Sequence, residues 1–280
     1  MEGLPSTTRT LLRGLLRRRP GLRGRTVPRI ARRASGVEAT SAWLRRYRAL
    51  TEGPRGPTLP LLAPQMMAGP LHAQVLSDRA MPVGLLGLVH VAQTVKQHRD
   101  LPEMAPLDVE VWLEGHRPAR QGAELDLHTE VRHAGDLAWD GVTTVLARGP
   151  WKDPRASGAP DEDDPIDARG AERWTIPENI GRRWRAVSGD PNPIHLHRLL
   201  ARPFGFRGAI AHGTWLLARV AARLGEADGA ARLECRFRRP VFLPGEVSFC
   251  TAPIDDGTRF TLRSPTSGKR HLEGRLIHLG

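Results

Sequence analysis

The sequence predicts an α+β protein whose two halves repeat one plan, antiparallel strands gathered about a helix. Three observations predict it. Segments of apolar–polar alternation recur in both halves. One apolar run keeps a helical period instead. Three short stretches of the first half echo, in order, three stretches of the second. The 280 residues suffice for two domains of ordinary size, and 40% hydrophobic content supports a real core.

In the first half Leu107, Val109, Val111 and Leu113 alternate with Asp108, Glu110 and Trp112, as in a strand with one buried face. Leu125 and Leu127 start the next strand, and residues 142–147 form another. In the second half Leu233, Cys235 and Phe237 alternate with Arg232, Glu234, Arg236 and Arg238. A turn at Phe242-Leu243-Pro244-Gly245 leads into Val247 and Phe249. Phe260 with Leu262, then Leu272 to Leu276, continue the meander. Residues 212–224 differ: Leu216, Val220 and Leu224 share one helical face, Arg219 and Arg223 another. A mostly apolar helix among amphipathic strands suits a helix wrapped by a sheet.

The echoes supply the duplication. Residues 44–53 align without gaps on 181–190, each with an aromatic followed by Arg-Ala, an aliphatic and a hydroxyl residue. Gly87-Leu88-Val89-His90-Val91 echoes Ala209-Ile210-Ala211-His212-Gly213, and both are expected to lead into helices. Arg117-Pro118 with Gly122 and Glu124 echoes Arg239-Pro240 with Gly245 and Glu246. The expected organisation is a basic arm at 1–35, a degenerate domain at 36–149, a linker at 150–170 and a catalytic domain at 171–280. The linker contains the acidic run Asp161-Glu162-Asp163-Asp164, read as solvated.

The net charge of +12 invites a nucleic-acid reading, so its location matters. Thirteen arginines fall within residues 1–50 against only Glu2 and Glu38, which leaves the body almost neutral. Nucleic-acid binding is thereby confined to a non-specific role for the arm. The arm otherwise reads as a solvated extension, a dock for anionic partners or a targeting peptide. Arginines interrupt every early apolar stretch, and no apolar run reaches transmembrane length. Cys235 and Cys250 have neither metal nor redox spacing, which points to reduced thiols and a cytoplasmic location.

Chemistry concentrates between 184 and 213. Asp190 and His195 lie across Pro191 and Pro193, and each proline fixes its own φ while extending its predecessor. A loop stiffened twice can hold two titratable groups in the set relation that proton transfer requires. Gly213 opens the helix-like run, where a free backbone N–H and the helix dipole favour a developing oxyanion. Gly53 and Val91 stand at the echo positions of Asp190 and Gly213, so the first half lacks this chemistry.

Ser188-Gly189-Asp190-Pro191-Asn192-Pro193-Ile194-His195, followed by Ile210-Ala211-His212-Gly213, resembles the signature of MaoC-like (R)-specific enoyl-thioester hydratases. That family includes 3-hydroxyacyl-thioester dehydratases. The resemblance implies a double hot-dog fold: two curved antiparallel sheets, each wrapped around a central helix. It implies an acid–base pair at Asp190 and His195, with the Gly213 amide on the thioester carbonyl. Ser188, Asn192, Phe206, His212 and Trp215 complete the expected substrate-binding set, although Ser188 and Asn192 also suit loop-holding hydrogen bonds. The chain departs from the family at His197, where an acidic residue is frequent. His195 and His197 alone are a weak metal pair, and no metal is expected. The implied activity is reversible hydration of trans-2-enoyl thioesters to (R)-3-hydroxyacyl thioesters in fatty-acid metabolism. No cofactor is needed beyond the coenzyme A or acyl-carrier phosphopantetheine of the substrate. The alternative is a non-catalytic acyl-thioester-binding or partner subunit, and a homodimer is left open.

Overall fold

A computed structural model describes residues 19–23, 25–85, 88–149, 151, 153, 166, 167, 169–225 and 229–280. Most of the basic arm and the acidic run at 161–164 therefore lie outside the described residues. The first half contains β1 (Ile30–Val37), α1 (Ser41–Thr51), α2 (Ala63–Met67), α3 (Gly69–Ser77), β2 (Leu88–Gln97), β3 (Leu107–Leu113), β4 (Arg117–Ala119), β5 (Gly122–His133) and β6 (Asp136–Arg148). The second contains β7 (Glu172–Ile176), α4 (Ile180–Ser188), α5 (Arg198–Ala201), α6 (Gly213–Leu224), β8 (Ala231–Phe237), β9 (Gly245–Ile254), β10 (Gly257–Arg263) and β11 (Arg270–His278).

The expectation of two separate sheets, each wrapped around its own helix, is corrected. All eleven strands belong to one antiparallel sheet, ordered β1-β3-β5-β6-β2-β8-β11-β10-β9-β7, with β4 beside β5. The join is β2 against β8, running from Ala92↔Arg236 to Gln97↔Ala231. Each half alone would end in an open edge of unpaired N–H and C=O groups, and pairing the two edges satisfies both. Outward from this join the halves match strand for strand, β2-β6-β5-β3-β1 against β8-β11-β10-β9-β7. A single apolar core runs through both, from Val37 and Tyr47 to Trp215 and Leu276.

The first echo holds at the backbone. α1 and α4 both end in a left-handed residue, Glu52 and Gly189, whose N–H groups return to the carbonyls of Arg48 and Arg185. These residues are partners in the ungapped alignment. Tyr47 and Trp184, also aligned, pack with ring centroids 5.6 Å apart.

The other two echoes are corrected. Residues after Val91 continue as strand β2, because Val89, Val91, Thr94 and Val95 are β-branched and the segment pairs on both sides. By its place in the chain and its packing on α4, the counterpart of α6 is α2–α3, interrupted at Ala68. Pro70 has no N–H to give the Met66 carbonyl and its ring crowds that position, which breaks the helix. Arg117-Pro118 lies between β3 and β5, whereas Arg239-Pro240 lies between β8 and β9. The matching connection in the first half carries Pro102 and Pro106, at the spacing of Pro240 and Pro244. Both connections make one isolated bridge, Thr58↔Pro102 and Ile210↔Phe242.

Candidate active site

The site grows from the end of α4. Gly189 adopts φ 68°, a left-handed cap that glycine accepts without steric cost, and its N–H bonds the Arg185 carbonyl at 2.9 Å. Pro191 and Pro193 prevent the helix from resuming. Asp190 Oδ1 then accepts the Asn192 N–H at 2.9 Å, closing an Asx turn. Ser188 Oγ donates to the Trp184 carbonyl and accepts the Asp190 N–H, both at 3.2 Å. Asn192 Oδ1 accepts the Ile194 N–H at 3.3 Å and caps a one-turn 3₁₀ helix over Pro193–His195. Ser188 and Asn192 thus hold the loop.

With Oδ1 engaged, Asp190 directs Oδ2 at two imidazoles. His195 Nε2 is 3.9 Å away and His212 Nε2 is 3.7 Å away. The two rings stack with centroids 3.8 Å apart. His195 Nδ1 lies 2.8 Å from the Ile210 carbonyl, which can only accept, so Nδ1 carries the proton and Nε2 keeps its lone pair. The Ile210 N–H returns to the Ile194 carbonyl at 3.1 Å, so the two strands of loop clamp each other. The Ala211 N–H donates to the Val241 carbonyl and the Ala209 carbonyl accepts the Leu243 N–H, tying the same segment to residues 241–243.

Burial disfavours the charged imidazole. It lowers His195, against the opposing pull of the Asp190 carboxylate and the Ile210 carbonyl. His212, 2% exposed, is lowered further by burial and then by His195, against the opposing pull of the Asp190 backbone. Both imidazoles are therefore neutral at physiological pH, the state a general base needs. Among the described residues, Asp190, His195 and His212 form a group whose ligand atoms lie within 4.8 Å of one another, close enough to embrace a cation. His197 is not part of it: its Nδ1 accepts the Leu199 N–H at 3.2 Å and caps α5.

Gly213 is the first residue of α6 and follows His212 directly, placing a helix start beside the imidazole pair. A Cβ there would come 2.9 Å from Phe237 Cε1. The Phe237 ring in turn packs on His90 at 4.5 Å between centroids. Trp215 is carried away from the cluster, its indole N–H donating to the Leu50 carbonyl of the first half at 2.8 Å. Phe206 is half-buried beyond α5, its N–H on the Ala201 carbonyl.

Three features of the site were not read from the sequence. Gly181, near the start of α4, brings that helix so close to the His195 turn that a Cβ would sit 1.8 Å from the His195 carbonyl oxygen. A glycine inside a helical run was the available signal. The second feature is the Phe237–His90 pair, hidden because its members come from strands of different halves. The third is a buried polar seam in the first half. Gln65 Nε2 donates to Thr143 Oγ1 at 2.7 Å, and Thr143 donates to Gln93 Oε1 at 2.9 Å. His72 meets Thr129 Oγ1 at 2.8 Å. Burial drives His72 down to about 3 and His90 to about 4, so both are neutral.

A MaoC-like domain model matches residues 162–274, the span that contains Asp190, His195, His212 and Gly213. The chain is 32% identical over 233 residues to 3-hydroxyacyl-thioester dehydratase X of Mycobacterium tuberculosis, covering 81% of each sequence. The chain belongs to the MaoC-like dehydratase family. The crystal structure of HtdX from Mycobacterium tuberculosis superposes with a TM-score of 0.78 at 29% identity, over 89% of this chain and all of that one. A MaoC-like dehydratase from Phytophthora capsici shares the fold, with a TM-score of 0.71 at 14% identity over 90% of this chain and 95% of that one. Both likenesses extend well beyond the matched domain, so the first half belongs to the shared architecture. Among the described residues no helix is long and apolar enough to cross a membrane.

Proposed function

We propose that the chain adds water reversibly across trans-2-enoyl thioesters, giving (R)-3-hydroxyacyl thioesters in fatty-acid metabolism. The observation that carries this is the Asp190–His195 pair, with its imidazole locked in one tautomer beside the helix start at Gly213. The 3.9 Å gap between Nε2 and Oδ2 suits one water bonded to both. His195 Nε2 takes a proton from that water as its oxygen bonds C3. The C2–C3 π electrons move onto the thioester oxygen, where the Gly213 N–H stabilises the enolate. The enolate collapses as C2 receives a proton from the same pair, so one water is added and both side chains return to their starting state. In reverse the same groups remove water from the 3-hydroxyacyl thioester.

The acyl group would extend past Gly213 toward Phe237 and His90. The interior behind them carries the hydrogen-bonded seam of Gln65, Thr143 and Gln93, which favours short acyl groups over long alkyl chains.

Turnover of crotonyl and dodecenoyl thioesters by the purified chain tests the reading. Asp190→Asn and His195→Ala should each lower kcat at least 10²-fold, as expected for loss of an acid–base group. A chelator should leave the parent rate unchanged, and the crotonyl substrate should have the higher kcat/KM. Parent-like rates in both variants would remove the pair from the reaction, and a parent chain that turns over neither substrate would return it to a binding role.

A further inference from the structure

The segment that follows the catalytic turn is exposed in a way its composition does not explain. Leu199 and Leu200 on α5 are 53% and 49% exposed, and only Met104 is a comparably exposed large apolar residue among those described. They begin four residues beyond His195. Buried Ala201 and the left-handed Gly205 fix the segment to the body, so the leucines face outward from an ordered turn rather than a loose end. Around them Arg198, Arg202 and Arg207 are exposed, and the stretch 197–207 contains no carboxylate. Arg182 reaches the Leu196 carbonyl from α4 at 3.2 Å and adds a fourth guanidinium. Arg207 lies over the Phe242 ring at 4.3 Å, beside the bridge that holds Ile210. Among the described residues none of the four takes part in an ion pair, whereas Arg117, Arg219, Arg223 and Arg275 each do.

We propose that this surface docks an acidic acyl-carrier protein, which delivers the thioester to the Asp190–His195 site on its phosphopantetheine arm. This rests on the hydratase reading and names its substrate carrier. Coenzyme A would also present anionic phosphates to the arginines, but a nucleotide has no use for two adjacent exposed leucines. A helix with an acidic face and apolar residues among the acids satisfies both features together: guanidiniums meet carboxylates, and the leucines leave water. The leucines and arginines follow directly on the turn that carries His195, so a carrier seated on them lies beside the proposed acid–base pair.

The test compares one acyl group on two carriers. Crotonyl groups attached to a holo acyl-carrier protein and to coenzyme A are assayed with the parent, with Leu199→Ser/Leu200→Ser and with Arg198→Glu/Arg202→Glu. Binding of the unacylated holo carrier to each form is measured by calorimetry, a readout independent of turnover. Each double variant should raise KM for the carrier substrate at least tenfold and weaken carrier binding similarly. Activity on the coenzyme A substrate should stay within about twofold, which also shows that the fold is intact. Raising salt from 50 to 300 mM should weaken the parent's carrier binding. Equal losses on both substrates, no change on either, or a parent that does not bind the carrier would overturn the proposal. If the parent binds the carrier through these residues but turns over neither substrate, the docking surface stands and the hydratase reading falls.

Discussion

The proposed acid–base pair is restricted by several residues around it. Ile210 sets the tautomer of His195, Asn192 occupies one carboxylate oxygen of Asp190, and Gly181 forms the floor beneath the turn. The last of these is the most exposed to a single atom's change. A methyl group at 181 would overlap the His195 carbonyl, so either α4 or the 193–195 turn must move. Gly181→Ala is favourable for an isolated helix by roughly 1 kcal/mol, and the crowded contact opposes that gain. The expected result is a folded protein whose kcat falls at least tenfold, since a displacement of about 1 Å in a reacting group can cost on the order of 10² in rate. Thermal melting beside a crotonyl-thioester assay checks it. Parent-like kcat would show that the turn tolerates the shift. The proposed acid–base residues stood out in the sequence because Asp190 and His195 flank two closely spaced prolines. Gly181 was not, since its importance depends on a carbonyl fourteen positions away that only the folded chain brings above it.

Among elements, the helices α1 and α4 lie at the centre of the duplication. The Trp43 indole donates to the Val187 carbonyl at 3.0 Å, and the Trp215 indole donates to the Leu50 carbonyl at 2.8 Å. Leu50 and Val187 are partners in the ungapped alignment, so equivalent carbonyls in the two halves each receive a tryptophan from the opposite half. Trp215 therefore acts as a strut between halves, which explains why it leaves the imidazole cluster. Trp43→Phe and Trp215→Phe each strand a buried carbonyl and should each cost about 1–3 kcal/mol. The measurement is a shift in denaturant midpoint at unchanged slope. For Trp215→Phe, kcat should remain within a few-fold of the parent; a large loss at full stability would instead make it part of the site. The strand period was readable where one face is less buried, as in residues 107–113, and the helical period at 213–224 was carried by Leu216, Val220 and Leu224 although Trp215 to Ala221 are all buried. They failed at 88–97, where Leu88–Ala92 are all half-buried and the alternation beyond them buries Gln93 and Gln97, polar residues that hide the apolar period. A short similarity in an alanine- and arginine-rich chain then suggested the wrong partner.

At the scale of the molecule, the eleven strands gain their unity from one junction. Duplication was visible in the sequence, but nothing in either half indicates that its end strand will pair with that of the other, because the register involves residues about 140 positions apart. The junction does more than join. Strand β8 carries Phe237, which closes over Gly213, and its neighbour β2 carries His90, which supports Phe237. The candidate site in the second half is thus packed in part by the first, even though Asp190, His195 and Gly213 all lie in the second. Residues 171–280 expressed alone would expose the β8 edge together with Trp215, which lies against the first half in the intact chain. The fragment should self-associate or precipitate, and any soluble portion should turn over crotonyl thioester at least 10²-fold more slowly than the intact chain. Co-expression with residues 1–170 should restore a soluble complex and most of the activity, because the two edges can pair without the covalent link. Light scattering and activity on the fragment and the complex decide between this and an independent domain. A monomeric fragment that unfolds cooperatively with full activity would mean that the shared sheet is dispensable to the site.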